Sequence, residues 1–557
     1  MRILRLLKLL SIWMLVTQVG VVFAAPKITS IYPAGAMRGK SVEVTIQGTG
    51  LKDLRHTLVQ GNGVQLSLLP GTDDTSRKAM LTVASDAAPG RREVRFADER
   101  DASNVRVISV GQVPEVNEVE PNNTPDKVTL QPLPICFNGR LSEGSDRDGF
   151  KVRLRKGQVV LIEVEGLRVL ANIYESWLKG FLEVTDASGR PLATNQGTVD
   201  DYYRWDPVLR FDPPADGEYT IWFRDLNWRS DAKGVYRVTV GELPHAFATF
   251  PIGAQRGTKV NVEPIAATLA SMTPVFGPVN PDVTLGISDV MFTAGGFESN
   301  HRPFLWTKEP SLDVTAGGLT RETAIPVQLP IALDGWFEPG KPRWVSFDVR
   351  DKGWQHINGF AWRLGVPTDL ELKVYDAAGN LVQEADDGRG SSGGQAGGRD
   401  PFIAREFTPG KWFVRIRDVD DHGGKGYPFR VLMGAGHAIL RGTFAPDAAG
   451  IPLSGGDIAV TVKCERIDLA RGDIQVELIE APAGVTVVNG TIATGKTEAA
   501  ITIKVGAGTL PVGLHRIRIR ARCENASITL VGNETYNNQG TAYQRETDGL
   551  IIVVRPG

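Results

Sequence analysis

Six oxygen-bearing side chains gather in two short stretches of the chain. Glu118, Glu120, Asn122 and Asn123 lie in Glu118-Val119-Glu120-Pro121-Asn122-Asn123-Thr124, and Asp146 and Asp148 in Asp146-Arg147-Asp148-Gly149-Phe150. Carboxylates and amide carbonyls are hard donors, and calcium takes about six to eight of them. Residues two apart in an extended segment face the same side, so Glu118, Glu120 and Asn122 can converge on one ion. The competing reading is a solvated, turn-forming loop. A second acidic set, Asp386, Asp387, Asp418, Asp420 and Asp421 with His422 alongside, lacks the Glu-x-Glu start.

Other chemistries find less support. Apart from Trp13, every tryptophan lies between Trp177 and Trp412. Exposed indoles stack on sugars, and Trp177, Trp205, Trp228 and Trp354, near loops, are the candidate ligand platforms. Trp222 and Trp412 sit mid-strand, where core packing is expected. Gly390-Ser391-Ser392-Gly393-Gly394 spells a nucleophile elbow but belongs to a glycine-rich run with no strand-to-helix turn to strain the serine. The seven histidines form no zinc-binding pair. Arg516, Arg518, Arg520 and Arg522 alternate with Ile517, Ile519 and Ala521, which places the four guanidiniums on one exposed strand face. That face either docks an anionic polymer or keeps the strand soluble. No catalytic constellation emerges, and a non-enzymatic protein is expected.

The elements that must position these residues are strands. Glycine (62) and proline (34) are plentiful, long helical patterns are absent, and 557 residues exceed one core. In Ser41-Val42-Glu43-Val44-Thr45-Ile46-Gln47 the period of two marks a half-buried strand. Residues 1–24 read as a signal peptide: Arg2, Arg5 and Lys8 precede an apolar run that ends Val22-Phe23-Ala24. That run is shorter than the ~20 residues of a spanning helix, so no transmembrane anchor is expected after cleavage. The protein is then exported, to the periplasm, the cell surface or the medium. Removing those three cations from 62 Lys+Arg against 64 Asp+Glu leaves about −5, which argues against a nucleic-acid partner. Of three cysteines, Cys464 and Cys523 both point inward on strands that two sheets could oppose. A cross-core disulfide between them is favoured over two buried free thiols, and Cys136 has no evident partner.

Internal echoes set the organisation. Phe250-Pro251-Ile252-Gly253-Ala254-Gln255-Arg256-Gly257 repeats Tyr32-Pro33-Ala34-Gly35-Ala36-Met37-Arg38-Gly39. Leu329-Pro330-Ile331-Ala332-Leu333-Asp334-Gly335 repeats Leu133-Pro134-Ile135-Cys136-Phe137-Asn138-Gly139, and Gly410-Lys411-Trp412 repeats Gly217-Glu218-Tyr219. The expected fold is all-β: tandem sandwiches, immunoglobulin-like and jelly-roll-like, in a duplicated two-domain unit with one further domain. The expected boundaries are 25–112, 113–243, 244–318, 319–437 and 438–557.

The acidic loop, the Asp146–Phe150 segment, Gly217-Glu218-Tyr219 and Gly234-Val235-Tyr236 together resemble the bacterial pre-peptidase C-terminal domain. That resemblance covers residues 113–243 well and 319–437 loosely, where Thr320-Arg321-Glu322-Thr323-Ala324 replaces the acidic loop. The segment from Ile28 to Gly39 resembles IPT/TIG immunoglobulin-like domains, and the surroundings of Glu480-Ala481-Pro482-Ala483-Gly484-Val485 resemble NEW3-like modules. The first resemblance implies a jelly-roll sandwich whose calcium ligands come from the acidic loop and the later aspartate pair. Together they imply a secreted or cell-surface binding or scaffold protein, with a surface protein or polysaccharide as partner. Two alternatives stand beside it: a carbohydrate-binding accessory of secreted hydrolases, and a peptidase-associated protein without a catalytic domain.

Overall fold

A computed structural model describes residues 25–556, except 143, 171–177, 197–205, 232, 267, 278–285, 388–398 and 539–540. The signal-peptide reading, Trp177, Trp205 and the Gly390–Gly394 spelling therefore lie outside the described residues. The chain is built from tandem β-sandwiches, as the period-two patterning requires. Among the described residues, no helix is long and apolar enough to cross a membrane.

The first sandwich sets strands 27–32, 41–49, 76–83 and 64–68 against strands 35–37, 106–111, 90–97 and 56–59. Val44, Ile46, Leu81, Val94 and Phe96 fill its core. The two larger sandwiches share one topology, strand for strand. In the first copy the sheets run 130–131, 147–154, 217–225, 180–186, 191–195 and 208–211, 160–165, 235–241, 135–140, 115–117. In the second they run 325–326, 343–349, 410–418, 370–375, 381–385 and 402–407, 353–360, 428–434, 331–336, 311–313. Each core stacks a phenylalanine pair, though at different positions: Phe137 on Phe150 at 4.4 Å and Phe337 on Phe429 at 4.5 Å.

The repeated Pro-x-Gly-Ala motif is explained by a junction between sandwiches. Gly35 lies against the guanidinium of Arg237, and Gly253 against the side chain of Arg430. A Cβ on Gly35 would also collide with the Ser109 carbonyl, and one on Gly253 with the Leu305 carbonyl. Arg237 is fixed by Glu115 at 2.7 Å and Arg430 by Asp334; both arginines are buried. A buried, bidentate-capable guanidinium needs such a partner and a flat surface to lie on. Glycine supplies the surface.

Strands between Ala438 and Arg555 form the last sandwich, whose core includes Cys464 and Cys523. Both thiols are free, which corrects the disulfide expectation. Cys523 lies one residue past the strand Gly513–Arg522, at the turn where its N–H donates to the Ala526 carbonyl, and its Sγ approaches Asn525 Oδ1 at 3.7 Å. The arginine row on that strand is only half exposed. Arg516 and Arg518 share Asp548 at 3.0 and 3.2 Å, and Arg520 meets Glu477 at 2.7 Å. A turn residue, Asp548, and Glu477 of the neighbouring strand thus pair three of the four arginines. The last sandwich returns to the first: Ile551 and Val553 pack on Ala97 and Ala102, beside a buried ion pair of Arg95 with Asp447.

Candidate metal centre

The acidic residues of the first copy do converge. Ligand oxygens of Glu118, Glu120 and Asp148 all lie within 4.8 Å of one another. Glu118 is placed by the short strand Glu115–Asn117, which pairs in parallel with Ile135–Arg140, and its N–H donates to the Asn138 carbonyl at 2.9 Å. Asp148 comes from the strand Arg147–Leu154, opposite Phe223, and is fully buried. Alternation sends Arg147 the other way, to Glu183 at 2.6 Å and the face of Trp222 at 4.0 Å. Its charge is therefore spent outside the cluster.

Tyr236, unremarked as a site residue in the sequence, spans the two carboxylates. Its hydroxyl donates to Asp148 Oδ2 and lies 3.3 Å from Glu118 Oε2. A Cβ on Gly139 would strike both the Tyr236 ring and Glu118 Oε2, so this glycine keeps the space open. Asp148 Oδ1 is buried and has no hydrogen-bond partner among the described residues. An orphaned, buried carboxylate oxygen is costly unless a cation takes it up.

The electrostatics agree. Burial pushes the Glu118 carboxyl up to about 8, with Glu120 and Asp146 adding repulsion. Asp148 rises well above the usual carboxylate range, from burial first and then from Glu118 and Asp146. Tyr32 of the first sandwich is pushed up as well, by burial and then by Glu118. Its hydroxyl donates to the Asn138 carbonyl at 3.1 Å, so the site adjoins the junction between sandwiches.

The other three residues of the expected set act as struts. Asn122 is buried and donates its backbone N–H to Glu120 Oε2 at 3.0 Å, while its carbonyl accepts from Gly149 at 3.2 Å. With its amide nitrogen turned inward, Asn123 donates to the Arg147 carbonyl at 2.8 Å and to Asp146 Oδ1 at 3.2 Å. Asp146 Oδ2 accepts the Ser142 N–H at 2.8 Å. These bonds fix the loop and leave Glu118, Glu120 and Asp148 as the convergent donors. The donor set is all oxygen, negatively charged and partly dry, which fits a hard divalent cation such as calcium.

The second copy supplies an internal comparison. Val314 stands where Glu118 does, each donating its N–H to the residue before the central glycine, Asp334 or Asn138. Arg343 pairs with Ile416 as Asp148 pairs with Phe223, at the same place in the repeated strand. Phe429 faces Gly335 as Tyr236 faces Gly139. A buried guanidinium, donating to the Thr315 carbonyl at 2.7 Å, has replaced the carboxylate. The second copy's own acidic group, Asp418, Asp420 and His422, also lies within 4.8 Å. There, however, Asp418 accepts backbone N–H groups from Asp369, Asp420 and His422. Asp225 does the same for Lys179, Asn227 and Arg229 in the first copy. It is a loop clamp in both.

Of the described tryptophans expected as platforms, Trp228 is 46% and Trp354 60% exposed. They sit on different sandwiches, and Trp228 is covered on one face by Arg224 at 4.1 Å. Trp222 and Trp412 are buried, as their mid-strand places imply.

Fold and site define the class: a tandem β-sandwich protein whose duplicated sandwiches have diverged at one acidic site. No protein-family profile matches the chain, and no curated protein does. Among solved structures it is similar to the pre-peptidase C-terminal domain of a Bacillus anthracis collagenase, at 14% identity over 20% of this chain and 93% of that one, TM-score 0.16. It is also similar to SGBP-B of a Bacteroides ovatus mixed-linkage glucan utilization locus, solved with a mixed-linkage heptasaccharide. That match has 7% identity over 72% of this chain and 74% of that one, TM-score 0.14. Scores this low carry no functional argument.

Proposed function

We propose that this is an exported, non-catalytic binding or scaffold protein whose first duplicated sandwich holds a calcium ion. The observation that carries the calcium site is the convergence of Glu118, Glu120 and Asp148 around a buried, unpartnered Asp148 oxygen, set against Val314 and Arg343 in the second copy. The ion would neutralise the mutual repulsion of the three carboxylates. Tyr236 orients Asp148, Gly139 keeps the space clear, and Asn122 holds Glu120. Beside the junction contact of Tyr32, this makes the cation a brace for the interdomain angle, and a rigid string of sandwiches suits a protein that presents surfaces to partners.

Thermal melting in millimolar calcium against chelator tests the reading. A ligand bound only by the folded state raises its stability by mass action. Calcium is expected to raise the Tm of the parent and leave that of Glu118→Gln unchanged; an unshifted parent contradicts the site.

A further inference from the structure

Between the first sandwich, the first large sandwich and the strands that follow it lies a cavity of about 920 Å³. Ligand pockets commonly span about 300–1,000 Å³ and favour domain interfaces. This one is separate from the acidic site, and no residue expected as a ligand contact lines it.

Its floor is apolar. Val113, Leu161 and Leu243 are buried in one cluster, with half-buried Val208 packed against them. Its walls carry charged groups, several of them already paired. Arg168 binds Glu163 at 2.8 Å and Asp206 at 2.9 Å, Arg237 lies 3.4 Å from Glu165, and His301 lies 3.4 Å from Asp289. An uncharged ligand can lie against these pairs without breaking them.

His245 differs from these walls. It lines the cavity, is 6% exposed, and its Nδ1 has no hydrogen-bond partner among the described residues. Burial, helped by the Arg168 and Arg302 guanidiniums against the pull of Glu163, lowers its pKa to about 4. The ring is therefore neutral at pH 7, with one donor and one acceptor nitrogen. The Arg168–Asp206 clamp recurs in the second copy as Arg363–Asp400 at 2.8 Å. Glu163 does not: Arg363 there meets the amide of Asn358. The Glu163 carboxylate is thus particular to this chamber.

We propose that the chamber binds a neutral oligosaccharide, with apolar C–H groups against half-buried Val208, which packs over Val113, Leu161 and Leu243, and hydroxyls on His245 and Glu163. A sugar offers the required combination of an apolar C–H face, hydroxyls that both donate and accept, and no charge. The proposal deepens the binding reading and does not depend on the calcium site.

Calorimetric titration with neutral gluco-, xylo- and manno-oligosaccharides, and with oligogalacturonate, tests it. At least one neutral series is expected to bind. His245→Phe, which removes the nitrogens but keeps a ring beside Phe247, and Val208→Trp, which fills the space, are each expected to weaken binding by about tenfold or more. Trp354→Ala is expected to bind as the parent does. Binding of oligogalacturonate alone, or of no saccharide, overturns the ligand class. Binding undiminished in both chamber variants, or lost only in Trp354→Ala, overturns the site. Either failure leaves the calcium shift of the parent intact, so the two readings fall separately.

Discussion

The chemistry of the acidic site turns on Asp148. Burial pushes its neighbour Glu118 up to about 8, against an ordinary value of 4.5, and raises Asp148 too. A carboxyl whose folded pKa exceeds its unfolded one binds more protons when folded, so stability falls as pH rises between the two values. Metal-free protein is therefore expected to melt progressively lower from about pH 4.5 to about pH 8. Asp148→Asn removes one of the crowded charges while leaving an oxygen for the Tyr236 hydroxyl. In chelator it is expected to melt higher than the parent at pH 8, with the gap closing at pH 5; scanning calorimetry across pH checks the sign. That Glu118 and Glu120 share a side was legible in the chain because period-two alternation fixes it, whereas Asp148 reaches them from a separate strand that alternation cannot place. The strut role of Asn123 and Asp146 was not, since it depends on which amide atom and which oxygen face inward. Tyr236 could have been found: its loss to Phe429 accompanies the loss of Glu118 and Asp148 between the copies.

At the scale of elements, the duplicated motifs report junctions as much as folds. The glycine in Tyr32-Pro33-Ala34-Gly35 lies where a buried arginine of the next sandwich presses on the backbone, and the same holds for Gly253 and Arg430. Gly35→Ala forces the added carbon into the Ser109 carbonyl and the Arg237 guanidinium. Overpacking of this kind costs about 1–3 kcal/mol, and a drop of that size in denaturant titration is expected. Gly90→Ala, where a Cβ would meet open space but φ is +109°, separates backbone strain from the clash. All-β architecture and the duplication were readable from alternation and repeats, because both are local in sequence. Two features were decided by tertiary pairing. Cys523 falls at a turn past the strand end, and the Arg516–Arg520 row meets Asp548 and Glu477, which the strand's own sequence cannot announce.

For the whole molecule, the first and last sandwiches close on each other through Arg95 and Asp447, and the central chamber arises from segments more than a hundred residues apart. No single stretch of sequence carries such a cavity, which is why it was not foreseen. The duplicated sandwiches supply the sharpest test, because one fold presents the acidic site once with carboxylates and once with Val314 and Arg343. Calorimetric titration of the metal-free protein with calcium is expected to give one bound ion per chain. Proton release should grow from pH 8 toward pH 6 as more of the carboxyls start protonated, and the heat should vanish in Asp148→Asn. Two equivalent ions, or a titration that Asp148→Asn leaves unchanged, would contradict the assignment of the cation to the first copy.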